Sequence, residues 1–205
     1  MSDITAVAEG SRNSPLSITV TTGSGDAIER AKGMLAGIDK GFRNALGSAL
    51  RRTVTSTKAY AAQKIRSEYY ISSGEFKRST ISRSKITTGN GSAELGIEFI
   101  GRHIPLLKFD TNINKSGRVT TRVKKSSGRA VLEHAFFATM PTGHSGIFER
   151  ETEAREPIRE LFGPSTPQMM SYNDEVREAI AEHQEQTFAE RLDHEVAAIL
   201  NGWRG

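Results

Sequence analysis

Leu16, Ile18 and Val20 alternate with Ser17, Thr19 and Thr21, the two-residue period of a half-buried strand. A turn through Thr22-Gly23-Ser24-Gly25 leads to Asp26, placed to cap a helix, with Glu29 at the third helical position as in a capping box. From Asp26 to about Tyr70 the period becomes three and four: Ile28, Ala31, Leu35, Ile38, Phe42, Ala45, Leu46 and Ala49 form an apolar stripe, and Ile65 and Tyr69 resume it. Thr53, Thr55, Ser56 and Thr57 predict a break or kink near the middle of this long helix. Ser73 is placed to cap a short helix ending by about Thr80.

The period then returns to two. Ile81 to Thr87 and Ala93 to Ile100 read as strands, with Leu95, Ile97 and Phe99 on one face and a turn at Gly89-Asn90-Gly91. Ile104 to Phe109 reads as extended, because Pro105 disfavours helix. Val119, Thr121 and Val123 alternate, Val131 to Met140 follows a turn at Ser126-Ser127-Gly128, and Pro141-Thr142-Gly143 turns the chain toward Gly146–Arg150. Ile158 to Phe162 reads as a helical turn, followed by Gly163-Pro164-Ser165-Thr166-Pro167, where two prolines fix the direction without needing a sheet partner. Asn173 caps a last helix, about 173–200, that sets Val176, Ile180, Phe188, Leu192, Val196 and Ile199 against Glu178, Glu182, Glu185 and Glu190. The order predicts an α+β fold, with a long N-terminal helix and a C-terminal helix packed on a mostly antiparallel β-sheet. Residues 1–15, polar and small, read as an arm; with the first strand they make a segment 1–25 preceding a single domain over 26–205.

Composition narrows the function classes. The chain has 205 residues, enough for one domain, and only 36% are hydrophobic, so its core is modest and contact with a partner is a natural way to complete it. Zero Cys excludes disulfides, thiolate metal sites and a thiol nucleophile. No run approaches the roughly 18 apolar residues of a membrane span, and Met1-Ser2-Asp3 offers no start for a secretory signal.

Charge is unevenly spread. Residues 1–150 carry 23 Lys+Arg and 12 Asp+Glu, whereas residues 151–205 carry 5 and 12. The excess lies between Lys77 and Arg129 and includes Arg102, Lys108, Lys115, Arg118, Arg122, Lys124, Lys125 and Arg129. A basic face of this kind meets nucleic acid or an acidic protein surface; the competing reading is a dipolar molecule whose acidic end faces the basic region of its own chain or of a neighbour. Aromatics do not interleave with these cations along the sequence, as a base-stacking platform would require.

Candidate chemistry is thin. His103, His134, His144, His183 and His194 are the neutral-pH proton carriers. His183 and His194 lie three turns apart, too far to share a metal, whereas His134 and His144 flank a hairpin and could meet across it. Gly143-His144-Ser145-Gly146 is one residue short of a nucleophile elbow, which leaves a hydrolase using Ser145 and His144 a distant third reading. No phosphate-binding loop is present, and neither a cofactor nor a metal site is expected. Gly33, Gly37 and Gly41, at spacings of four, read either as a helix weakened near its start or as a groove admitting another backbone.

Four stretches carry a resemblance: Phe136-Phe137-Ala138-Thr139-Met140-Pro141-Thr142-Gly143-His144-Ser145-Gly146-Ile147-Phe148-Glu149-Arg150, Pro157 to Met169, Ile104 to Phe109 and Val123-Lys124-Lys125. Together they resemble the bacteriophage minor tail protein Z family, the tail completion proteins of long-tailed phages, over roughly residues 26–203. The resemblance implies a non-enzymatic virion protein of the neck or proximal tail, assembled in the host cytoplasm and required for tails to join heads. Its implied neighbours are the tail terminator, the head-side stopper or connector, and further copies in a ring, a hexamer first, with DNA close by. Pro157, Leu161, Phe162, Pro164, Pro167 and Met169 would then belong to a rigid segment laid on a partner, the alternative being a turn that delivers the last helix. The runner-up function is a nucleic-acid-binding module using residues 77–129.

Overall fold

The structure is a computed structural model that describes residues 16–23, 25–89, 92–152, 154 and 157–202, with side chains left aside for 16–23, 85–89 and 92–94. The arm over 1–15 and the tip of the Gly89-Asn90-Gly91 turn lie outside the described residues. In chain order the elements are β1 (Leu16–Gly23), α1 (Gly25–Met34), α2 (Gly41–Glu68), α3 (Ser73–Ser79), β2 (Thr80–Gly89), β3 (Ser92–Gly101) and β4 (Ile104–Pro105), and then a 3-10 turn at Leu106–Lys108. There follow β5 (Asp110–Ile113), β6 (Val119–Arg122), β7 (Ala130–Leu132), β8 (Ala135–Thr139), β9 (Ser145–Arg150), β10 (Ile158–Glu160), β11 (Phe162–Gly163), α4 (Thr166–Ser171) and α5 (Asp174–Leu200). This is the α+β fold that the hydrophobic pattern predicts. Among the described residues its strands are divided among four sheets, ordered β1-β3-β2, β10-β9-β8, β11-β4 and β5-β6-β7.

The chain forms two compact units that interleave along the sequence, one built on Ile65–Ile81 and Ile100–Met169, the other on Ser17–Lys64, Ser82–Phe99 and the stretch from Met170. The crossings fall inside β1, α2, β2, β3 and α4, so no Gly- or Pro-rich linker marks them in the sequence.

In the helical unit Ala27, Ile28, Ala31, Leu35, Ala45 and Ala49 pack with Leu95 of β3 and with Phe188, Leu192 and Val196 of α5. The small alanines let helices and sheet approach closely. The expected alternation holds on β3, where Leu95, Ile97 and Phe99 are all fully buried. The α5 stripe is buried too, apart from Ile199, and Asn173 caps it by accepting a hydrogen bond from the Val176 amide. Polar residues share the buried face: Gln184 donates through Nε2 to the Leu95 carbonyl at 2.8 Å, the Glu195 carboxylate lies 3.3 Å from Arg52 Nε, and Thr187 is buried beside His183.

The long first helix is corrected in two places. It is interrupted at 35–40, where i→i+3 bonds (Ile38 to Leu35, Gly41 to Ile38) tighten the chain and Lys40 takes a left-handed φ of 56°. The glycines at 33, 37 and 41 make helix costly there, at about 1 kcal/mol each. It is not broken at the Thr/Ser cluster: Thr53 and Thr55 donate back to the Ala49 and Arg51 carbonyls at 2.9 and 3.0 Å, so these two hydroxyls are satisfied within the helix. At α3 the cap is Ser72 rather than Ser73, its hydroxyl accepting from the Glu75 amide.

The other unit is mostly strand. β8 and β9 form a hairpin closed by Gly143 at a φ of 83°, and β10 pairs antiparallel on the far side of β9. β11 pairs with β4, placing Phe162 opposite Pro105 and Gly163 opposite Ile104. The Leu161 amide donates to the Ile147 carbonyl at 2.8 Å while its own carbonyl accepts from the Leu106 amide at 2.9 Å. The sequence reading of Ile158–Phe162 as a helical turn is therefore corrected, since its backbone pairs with β9 and β4; from Pro164 on, the proline segment pairs with no strand among the described residues and leads into α4. Val131–Met140 divides into β7 and β8 at Glu133-His134, and Leu106–Lys108 curls into a 3-10 turn inside the stretch read as extended.

Candidate docking surfaces

The basic region is built on β5-β6-β7 and on the chain leaving α2. Tyr69 forms a lone antiparallel bridge with Lys124, the Tyr70 amide donates to the Val123 carbonyl at 2.9 Å, and the Lys125 amide donates to the Glu68 carbonyl at 2.7 Å. These bonds bring two tyrosines under the basic run. Arg122 lies over the Tyr70 ring with its guanidinium carbon 4.4 Å from the centroid, and Lys125 Nζ stands 5.6 Å from the same ring. Lys124 Nζ is 5.8 Å from the Tyr69 ring. Such contacts favour a cation whose hydration is partly stripped.

One carboxylate serves two of the arginines. Asp110 Oδ2 accepts from Arg129 at 2.5 Å and from Arg122 at 3.3 Å. The Arg129 hydrogen bond, with Arg122 adding to it, holds the Asp110 carboxyl below its ordinary value of 3.8. Arg102, Lys108, Lys115, Arg118, Lys124 and Lys125 have no carboxylate partner among the described residues. Lys115 and Arg118 ride on a fixed loop, because Asn114 Oδ1 accepts from the Ser116 amide and hydroxyl and from the Arg118 amide, and Gly117 takes a φ of 80°. Sequence reasoning missed the tyrosines because they come from the end of a helix; the aromatic pair at 69–70 was the only signal.

The glycines do not line a single helix face. Gly33 lies in α1, Gly37 in the interruption and Gly41 at the start of α2. A Cβ on Gly33 or Gly37 would meet nothing within 4 Å, whereas one on Gly41 would stand 2.9 Å from Ile38 Cγ2. Of the segment read as laid on a partner, Leu161, Pro167 and Met169 are buried, Phe162 and Pro164 half-buried, and Pro157 exposed. Gly163 is obligatory, since a Cβ there would come 2.5 Å from the Phe109 ring.

The histidines do not converge. His134 and His144 stand at opposite ends of the β8–β9 hairpin, whose pairing runs from Ala135↔Glu149 to Thr139↔Ser145; the expectation that they could meet across it is corrected. His144 Nε2 pairs with Glu160 Oε1 at 2.9 Å, and the Ser145 hydroxyl pairs with Thr139 at 2.8 Å. No bond joins Ser145 to His144 among the described residues, and no group of His, Asp and Glu fit to hold a metal occurs among them. His183 stacks on Tyr60 at 4.1 Å, with Ser56 Oγ 3.0 Å from its Nε2. No helix among the described residues is long and apolar enough to cross a membrane.

The opposite charge is displayed on α5, where Glu175, Glu178, Glu182 and Glu185 are exposed. At about 100° per residue these four fall within an arc of roughly 80°. Asp174 is paired to Arg177 at 2.7 Å and Glu182 accepts from Gln186 at 3.1 Å; Glu175, Glu178 and Glu185 have no cation partner among the described residues. No protein family, no curated protein and no solved structure matches the chain.

Proposed function

We propose that this chain is a structural protein of a phage neck or proximal tail, which completes the tail and lets heads join it by docking to neighbouring proteins rather than by catalysis. The observation that carries this reading is that three of the four stretches supporting the resemblance to tail completion proteins pair with one another. β8 and β9, within residues 135–150, share one sheet with β10 (Ile158–Glu160), and β11 and Leu161 tie the chain after β10 to Ile104–Leu106. Blocks separated in sequence thus contribute to one folded piece. The tail terminator and the head-side stopper or connector are the partners of this reading, and copies of the chain form a ring. Deleting residues 157–170 would remove buried Leu161 and Met169 and unfold the unit, so the informative test omits the whole chain. Heads and tails should then accumulate separately, and purified protein should join them.

A second reading, nucleic-acid binding, is favoured by the basic run at Lys115, Arg118, Lys124 and Lys125, cations without a carboxylate partner among the described residues. Titrating duplex DNA at two salt concentrations tests it. Contacts from Lys115, Arg118, Lys124 and Lys125 would give a log–log slope of about −4.

A further inference from the structure

We propose that the basic edge bearing Lys115, Arg118, Lys124 and Lys125 in one copy docks on the acidic ridge of α5, Glu175, Glu178, Glu182 and Glu185, in the next copy; this rests on the reading of the chain as a ring-forming structural protein. The argument is one of complementarity. The four cations are without a carboxylate partner among the described residues, and the ridge is without a cation partner at Glu175, Glu178 and Glu185. Arg118 to Lys124 spans roughly 20 Å at an extended rise of about 3.3 Å per residue. Glu175 to Glu185 spans roughly 15 Å at about 1.5 Å per residue. The two rows are therefore opposite in sign and comparable in length.

Both rows are held before contact, which lowers the ordering cost of docking. The loop at 114–118 is fixed by Asn114, and Arg122 and Arg129 are anchored on Asp110. The first half of α5 is fixed by its Asn173 cap and by buried Val176 and Ile180. A second copy answers both surfaces at once, whereas a nucleic acid would leave the acidic ridge without a partner. Arg122 already lies over the Tyr70 ring, which leaves that face of the ring closed to a stacking base. Because the two surfaces differ, the contact is heterologous and propagates into a closed ring or an open filament.

The test is a charge exchange on the purified full chain. One variant carries Lys124→Glu with Lys125→Glu; another carries Glu178→Lys with Glu182→Lys. All four positions are half-buried or exposed, and circular dichroism with thermal melting verifies that each variant is folded. By sedimentation at low salt, wild type should self-associate, and each variant should dissociate about 100-fold more readily or not associate at all. An equimolar mixture of the two variants should regain association, because each then meets the opposite sign on the other. Wild type that stays monomeric at low salt, variants that associate like wild type, or a mixture that fails to associate would each overturn the proposal. The functional reading fails separately: particles lacking the chain would still show joined heads and tails, whatever the sedimentation result.

Discussion

The guanidinium of Arg122 lies over the ring of Tyr70, 4.4 Å from its centroid, although one residue belongs to β6 and the other follows α2. The placement depends on backbone pairing between 68–70 and 123–125, so the contact reports whether that junction is formed. A double-mutant cycle of Tyr70→Leu and Arg122→Gln, read by urea denaturation, should give a coupling of about 0.5–1 kcal/mol, the range for a partly exposed cation over an aromatic face. Additive effects would place the two groups apart.

Acidification should weaken the same surface through Asp110. Its carboxyl is held below its ordinary value by Arg129 and Arg122, so the unfolded chain takes up a proton before the folded chain does. The stabilisation is fully present above the ordinary value and is lost as pH falls through the lower, folded one. The urea midpoint of wild type should therefore drop more steeply between about pH 5 and pH 2 than that of Asp110→Asn. Parallel profiles would contradict the ion pairing.

Two glycine substitutions should have opposite signs. A Cβ on Gly101 would stand 2.8 Å from Thr166 Oγ1, 2.9 Å from Pro167 Cδ and 2.9 Å from the Ser79 carbonyl oxygen, and that carbonyl belongs to the backbone. Gly101→Ala should cost about 1–3 kcal/mol, as overpacking does. Gly33→Ala places its methyl in open space on α1 and should stabilise by up to about 1 kcal/mol. Thermal unfolding of both variants checks the pair.

Gln184 is a polar residue on the apolar face of α5, and its amide meets the carbonyl of Leu95 on β3. Gln184→Leu would leave that carbonyl buried without its donor, at a cost of about 1–3 kcal/mol in denaturant unfolding.

These residues show how far the sequence could be read. The strands with clean alternation, Leu95–Ile97–Phe99 above all, and the α5 stripe behind Asn173 were legible because period and burial coincide. Ile158, Leu161 and Phe162 sit at spacings of three and four, which imitates a helical turn; only strand partners from β9 and β4 make the stretch extended. The interruption at 35–40 was half visible, since the glycines advertised weakness but not that the helix would stop. The basic residues were plain in the charge count, while Tyr69 and Tyr70 reach them through a pairing that exists only in the folded chain. Gln184 and Glu195 were invisible for a related reason: a polar side chain enters a core when a specific partner waits there, and the partners, Leu95 and Arg52, come from other elements.

The most direct test of the central claim is electron microscopy of particles assembled without this chain, before and after the purified protein is added. Separate full heads and finished tails that become joined on addition are the result the docking role predicts. Joined, infectious particles at normal yield in its absence would contradict it.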